Sequence, residues 1–432
     1  MIIRLTRRTC LLSLMLAFSA GVALPQNRAG REHWVPTWAA SPQPLPVPGQ
    51  FAAGPAAAPP RVDRSFHNQT IRMVVHTSIG GTRARVQLSN AYGAAPLRVG
   101  SVHIALRSKG SEFIAGSDRA LTFSGRPSGT IPPGALLVSD PVDLNVPQLG
   151  DLVVSVYVPD ETGSPTLHNG AFHTTYISKP GNFTGEHAID EATTTRSWYW
   201  LTSVDVLAPV DAGLIVAFGD SITDGTTSTP DADSSWPALF AQRLVKNAAT
   251  RNLAVVNEGI AGNRLLRDVA GTNALARFDR DVLSQGGVKW MVLLEGINDI
   301  GRATGTNAPQ DGTITAEEVI AAYRQIIERA HMHGIKVMGA TLTPYAGAAY
   351  YSEAGESIRQ AVNAWIRSGN AFDSVVDFEA VVRDPDNPKQ FRPGFNITDH
   401  LHPNDAGYKA MADAIDLAFF GAKGQLSAEK RK

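Results

Sequence analysis

The spacing of apolar positions changes character near Pro209. Before it, short runs of Val, Ile, Thr and aromatic residues recur at 70–77, 83–89, 101–106, 136–144, 152–158, 174–178 and 198–206. Turn residues separate them: Gly80-Gly81, Asn90, Pro132-Pro133-Gly134 and Gly163. Short runs of this composition between turn signals read as strands, and no long helical period interrupts them. The pattern predicts an antiparallel β-sandwich or jelly roll over residues 32–206. Trp34 and Trp38 open that region with Pro36 between them, which argues against a helix and for an anchored chain start. Residues 42–60 hold seven prolines and read as a loop, because proline removes backbone donors.

After Pro209 the period lengthens. The run 214–218 is continuously apolar, as a parallel strand buried on both faces requires. A helical stretch at 236–247 follows, then strands at 254–256 and 290–294. At 316–331 Val319, Ile320, Tyr323, Ile326, Ile327 and Ala330 fall on one helical face. A strand at 336–340, a helix at 353–367, a strand at 374–377 and a closing helix at 405–420 complete the series. Alternating strands and helices predict an α/β domain over 213–425, with a parallel sheet covered on both faces. Such a sheet gathers its site at the carboxyl ends of its strands.

The N-terminus has a different logic. Arg4, Arg7 and Arg8 precede an apolar run from Cys10 to Val22, and Gly21-Val22-Ala23 offers small residues for cleavage. Residues 1–23 therefore read as a signal peptide, too short to remain in a bilayer, and predict a secreted or periplasmic protein without stable membrane insertion. The full chain has 39 Lys+Arg against 40 Asp+Glu; loss of those three arginines leaves 36 against 40, a net charge of −4. That balance argues against nucleic acid as a partner, since phosphate contacts need a cationic excess. The single cysteine, Cys10, leaves with the signal, which excludes a disulfide framework, a thiolate metal site and a thiol nucleophile. At 432 residues the chain is long enough to bury two cores without such staples.

Four short polar motifs carry the candidate chemistry. Gly219-Asp220-Ser221-Ile222-Thr223-Asp224-Gly225 follows the first parallel strand, where a turn can present a serine hydroxyl at the sheet's edge. That hydroxyl needs a base to become a nucleophile. Asp399-His400-Leu401-His402 precedes the last helix; an Asp-x-x-His spacing lets one turn bring the carboxylate to the imidazole and hold its tautomer. His400, adjacent to Asp399, is expected to point elsewhere, and Asp405 to cap the closing helix. Gly259-Ile260-Ala261-Gly262-Asn263-Arg264 and Gly296-Ile297-Asn298-Asp299 follow the second and third strands. They offer the backbone N–H and amide donors that an oxyanion requires. Taken singly, each motif is ordinary turn chemistry. A metal reading of Asp399 and His402 lacks a third ligand.

Together, in this order, the four motifs resemble the GDSL/SGNH serine hydrolase superfamily. Gly219-Asp220-Ser221-Ile222 is similar to its nucleophile block, with Ile in place of Leu. Gly262, Gly296-x-Asn298-Asp299 and Asp399-x-x-His402 match its three other blocks. The resemblance implies a flavodoxin-like sheet, with no metal and no organic cofactor. It implies Ser221 as nucleophile, His402 as base and acid, Asp399 as its orienting carboxylate, and an oxyanion hole from Ser221, Gly262 and Asn298. It also implies acyl transfer from an ester to water. A strand-rich exported region before such a domain resembles secreted bacterial esterases. That arrangement points to a small-molecule or polysaccharide ester, with O-acetyl carbohydrate esters first. A lipase, arylesterase or thioesterase is the rival within the class, and an inert glycan-binding protein the rival outside it. Phosphodiester cleavage would require metal.

The other conspicuous residues read as structural. His331 and His333, two apart at a helix end, do not share a face. Trp198, Tyr199 and Trp200 read as strand packing. Arg264 and Arg267 fit surface ion pairs or a polar substrate group, and Asp299 is expected to brace its loop. Asn68, Asn182 and Asn396 lie in glycosylation sequons that matter only in a eukaryotic host.

Overall fold

The computed structural model describes residues 32–46, 63–305 and 312–421. The expected signal peptide and most of the proline-rich loop lie outside the described residues. The strand-rich part spans His33–Ala39 to Leu201–Ala208 and forms two main antiparallel sheets. In one, His33–Ala39 pairs with Leu201–Ala208, which pairs with Gly81–Ser89; Leu136–Val138 and Val142–Val146 both pair with that last strand. In the other, the long hairpin-like core is Gln69–His76 against Asp151–Val158, flanked by Ser101–Leu106 and Thr175–Pro180.

Two expected strands are broken in two. The 136–144 run divides because Ser139 and Asp140 turn aside: Ser139 Oγ accepts the Val86 N–H, and Asp140 accepts from Thr122, Ser124 and Gly125. The 198–206 run divides at Trp200, whose φ of 60° reverses the chain so that Ser197–Tyr199 pairs with Leu167–Asn169 instead. Trp198, Tyr199 and Trp200 are all buried, and Trp198 donates to the Val74 carbonyl. Pro36 sits at a register shift of the first strand, opposite Asp205. A proline is tolerated there because it has no N–H to contribute. Arg85 lies over the Trp34 ring and Trp198 packs edge-on against Trp38, so the chain start is anchored by stacking as well as by pairing.

The parallel sheet has five strands in the order Leu253–Gly259, Gly213–Gly219, Val288–Leu294, Lys336–Ala340, Ser374–Val376. In chain order this is 2-1-3-4-5, a doubly wound arrangement. Every residue of Gly213–Gly219 is buried, as its unbroken apolar run requires. The helix Ala316–Met332 starts at a reciprocal cap: Thr315 Oγ1 accepts the Glu318 N–H while Glu318 accepts the Thr315 N–H. The closing helix is shorter than its sequence pattern. It ends at Ala414, where Arg243 donates to the carbonyls of Ala412 and Ile415. The chain then turns so that Phe420 reaches Phe240 and Trp290 in the core.

The chain passes directly from Ala208 to Gly213, and the two regions share one continuous apolar core instead of holding two. The strand His33–Ala39 lies against the parallel strand Leu253–Gly259. Polar links cross the same seam. Ser41 Oγ donates to the Glu258 carboxylate at 2.6 Å, and the Val255 N–H donates to Ser78 Oγ. No helix among the described residues is long and apolar enough to cross a membrane.

Candidate active site

Ser221 is the first residue of a one-turn helix, Ser221–Asp224, at the carboxyl end of the first parallel strand, Gly213–Gly219. Asp220 caps that turn by accepting the Ile222 N–H at 3.0 Å. Burial pushes the Asp220 carboxyl up to about 7, assisted by the nearby Asp299 and Asp224 charges and opposed by that N–H. The neighbouring strand must approach the turn very closely: a Cβ on Gly259 would lie 2.2 Å from the Asp224 nitrogen. Only glycine fits there.

His402 Nε2 lies 2.8 Å from Ser221 Oγ, and His402 Nδ1 lies 2.6 Å from Asp399 Oδ2. Asp399 Oδ1 also accepts the backbone N–H groups of Leu401 and His402, so its loop is closed on the carboxylate. Burial works to raise the Asp399 pKa, but the His402 hydrogen bond, its charge and those N–H groups hold it below the ordinary value. The carboxylate is thereby kept ionised beside the ring. An imidazole held in this way can take the Ser221 proton and have its own positive charge balanced. His400 has a φ of 57°, is exposed and packs beside Gly347, away from Ser221.

Gly262 and Asn298 belong to one hydrogen-bonded loop system. Gly262 turns at a φ of 79°, a conformation that favours glycine. Its neighbour Asn263 accepts from the Asn298 amide through its carbonyl at 3.0 Å. Asn298 Oδ1 accepts from the Tyr350 hydroxyl, which fixes the orientation of the amide. Asp299 does brace its loop, by accepting the N–H groups of Leu265 and Leu266 at 2.8 and 3.1 Å.

Residues that the sequence pattern did not single out hold this set in place. Arg277 is fully buried below it. Its guanidinium donates to Gly219 O, Glu258 O, Asn263 Oδ1, Asp281 and Ser41 Oγ. One side chain thus ties the ends of two parallel strands to the Gly262–Asn263 loop. Asp224 accepts the Ala261 N–H at 3.1 Å and meets His168 of the strand-rich region. Asp405 is not the cap of the closing helix: Asn404 caps it. Asp405 instead accepts from Thr229 and Ser234, clamping the loop that follows the Ser221 turn. Arg264 is buried at 3% exposure and so is no surface ion pair, whereas Arg267 is exposed. His331 pairs with Asp373 and His333 ends its helix, both far from Ser221 in the fold.

Residues 215–415 match the family described as GDSL-like lipase/acylhydrolase. Residues 215–415 form a GDSL-like hydrolase domain, and this match supports a carboxylic ester hydrolase. Solved structures similar to it include a GDSL-like lipase from Bacteroides thetaiotaomicron VPI-5482, at 21% identity over 51% of this chain and 89% of that one, with a TM-score of 0.35. Another is an acetylxylan esterase from Geobacillus stearothermophilus, at 22% identity over 47% of this chain and 91% of that one, with a TM-score of 0.37. No curated protein matches the chain. Within the GDSL hydrolase domain the four polar motifs sit at strand ends or just before the closing helix.

Proposed function

We propose that the GDSL hydrolase domain cleaves esters through an acyl-enzyme on Ser221. The observation that carries this reading is the chain of hydrogen bonds from Ser221 Oγ through His402 to Asp399, at 2.8 and 2.6 Å. Ser221 Oγ attacks the ester carbonyl while His402 Nε2 removes its proton. The oxyanion is received by the N–H groups of Ser221 and Gly262 and the free N–H of the Asn298 amide. His402 then hands the proton to the departing alcohol. Water, deprotonated by His402, attacks the acyl carbon, and the collapse of the second tetrahedral intermediate returns Ser221 and releases the acid. Asp399 stays ionised throughout and balances the imidazolium.

For the substrate we infer an O-acetyl ester of a carbohydrate. A pocket beside Asp299 is lined by Arg264, Arg267, Thr313 and Glu318 together with Leu266, Ala303 and Ile314, and its polar groups suit a hydroxyl-rich alcohol. Tyr350, which bonds the Asn298 amide, is fixed by packing beside Tyr345 and against Gly301, where a Cβ would lie 2.2 Å from its ring. We also infer that the first 23 residues direct export, and that the two antiparallel sheets of the strand-rich region are arranged as a sandwich. Rates on p-nitrophenyl esters of increasing chain length, run beside acetylated xylan and pectin, test the substrate. Highest kcat/KM on acetate with release of acetate from a polysaccharide is expected. Highest kcat/KM on long acyl chains would overturn the acetyl assignment.

A further inference from the structure

Outside the Ser221 site, three ligand-type side chains from distant parts of the chain converge on one point. His76 ends the strand Gln69–His76, Asp151 begins the strand Asp151–Val158, and Asp233 lies in the loop that follows the Ser221 turn. His76 Nδ1 is 2.7 Å from Asp151 Oδ1 and 3.2 Å from Asp233 Oδ2, and the three ligand atoms lie within 4.8 Å of one another. A ring nitrogen carries at most one hydrogen, yet two carboxylate oxygens approach it. One N–H cannot serve both well, whereas a divalent cation can.

The surroundings are arranged as metal-ligating carboxylates require. Ligand carboxylates are held by partners on their other oxygens. Asp151 Oδ2 accepts from Arg107 at 2.8 Å, and Asp233 Oδ1 faces His173 Nε2 at 3.0 Å. His173 is itself 9% exposed, and its Nδ1 has no hydrogen-bond partner; the nearest carboxylate, Asp231, is 3.7 Å away. His76, His173 and Asp233 line a cavity of about 90 Å³ at the seam of the two regions, which gives solvent ligands room to complete the coordination. Tetrahedral ligands at about 2.0–2.1 Å from zinc stand roughly 3.4 Å apart, so the 2.7 and 3.2 Å spacings from His76 need to open by about 0.7 and 0.2 Å.

We propose that His76, Asp151 and Asp233 form a divalent transition-metal site, with zinc as the best-fitting ion, that staples the strand-rich region to the loop behind the Ser221 turn. One imidazole and two carboxylates form a mixed N/O set suited to zinc or manganese and poorly suited to calcium or magnesium. Arg107 and His173 orient the two carboxylates. Binding releases a proton from His76 where the ring is protonated.

The test uses the full, tag-free chain, stripped with a chelator, desalted and titrated with zinc chloride. About one zinc per chain by elemental analysis after gel filtration is expected, together with a higher Tm and an X-ray absorption spectrum of one nitrogen and two or more oxygens near 2.0–2.1 Å. Asp151→Asn and His76→Gln should lose the bound zinc and the Tm increment. Arg107→Ala and His173→Ala, which keep all three ligands, should weaken zinc binding by roughly 10–100-fold. Wild-type protein that retains no zinc would overturn the site, and so would zinc retained equally by Asp151→Asn and His76→Gln. The wild-type measurement stands even where a variant fails to fold.

Discussion

His168 of the strand-rich region hydrogen-bonds Asp224 of the hydrolase domain, Nε2 to Oδ1 at 3.1 Å, with both side chains buried. The other ring nitrogen faces the Ser41 carbonyl, and the other carboxylate oxygen of Asp224 accepts the Ala261 N–H beside Gly262. The strand-rich region therefore reaches, through one ion pair, both the turn that bears Ser221 and the loop that bears Gly262.

Removing His168 should cost stability and rate together. His168→Ala leaves Asp224 buried without its partner, a loss of about 3–5 kcal/mol by analogy with other buried pairs. The loosened Ala261–Gly262 segment should lower kcat on the order of tenfold, equivalent to about 1.4 kcal/mol, with a smaller change in KM. Urea unfolding and steady-state kinetics check the two effects. Burial disfavours the His168 imidazolium, but the Asp224 charge and the hydrogen bonds outweigh it and raise its pKa. A raised pKa contributes stability that is complete below the unfolded value of about 6.5 and is lost as pH rises through the folded value. The Tm of the wild type should therefore fall more steeply than that of His168→Gln as pH rises above the unfolded value of about 6.5.

Asn298→Ala removes one proposed oxyanion donor and the bond to the Asn263 carbonyl. A loss of about 10²–10³ in kcat is expected, with KM little changed, because the donor acts on charge that develops in the transition state. Steady-state rates on p-nitrophenyl acetate, read beside the Tm, separate this from general destabilisation.

Asp399→Asn keeps the size of the side chain but no longer fixes the tautomer of His402 or balances its charge. The expected loss is on the order of 10⁴ in kcat, the size seen for the equivalent change in a serine protease. The folded Asp399 pKa is depressed, so its stabilisation is present above the unfolded value of about 3.9 and is lost as pH falls through the folded value. Acid unfolding of the variant should consequently show less dependence on pH below about 4 than that of the wild type.

Arg277→Met tests the support beneath the site. The guanidinium is wholly buried and its bonds end on Gly219 O, Glu258 O, Asn263 Oδ1, Asp281 and Ser41. Leaving the Asp281 charge and the carbonyls without it should cost about 3–5 kcal/mol in chemical denaturation.

The meeting of Ser221, His402 and Asp399 was legible because its signals are local. A serine follows a strand of unbroken apolar residues, and a carboxylate stands three residues before an imidazole. The long parallel strands and the helix Ala316–Met332 were legible from period for the same reason. Strands of two or three residues, such as Arg119–Ala120 and Thr193–Thr195, have too few positions to show a period. The break at Trp200 depends on a positive φ in an otherwise strand-forming run. The contacts of Arg277, His168 with Asp224, and His76 with Asp151 and Asp233 join residues far apart in sequence. No spacing rule connects such residues; only the packing of the two regions does.

The central claim is that Ser221 is the nucleophile of an acyl-enzyme. Intact-protein mass spectrometry after reaction with a fluorophosphonate, on wild type and Ser221→Ala, tests it most directly. The account predicts one adduct per wild-type chain, mapped to the peptide containing Ser221. It predicts none on Ser221→Ala, whose Tm is kept and whose esterase activity falls to background. An adduct or undiminished ester hydrolysis in the folded Ser221→Ala protein would contradict it.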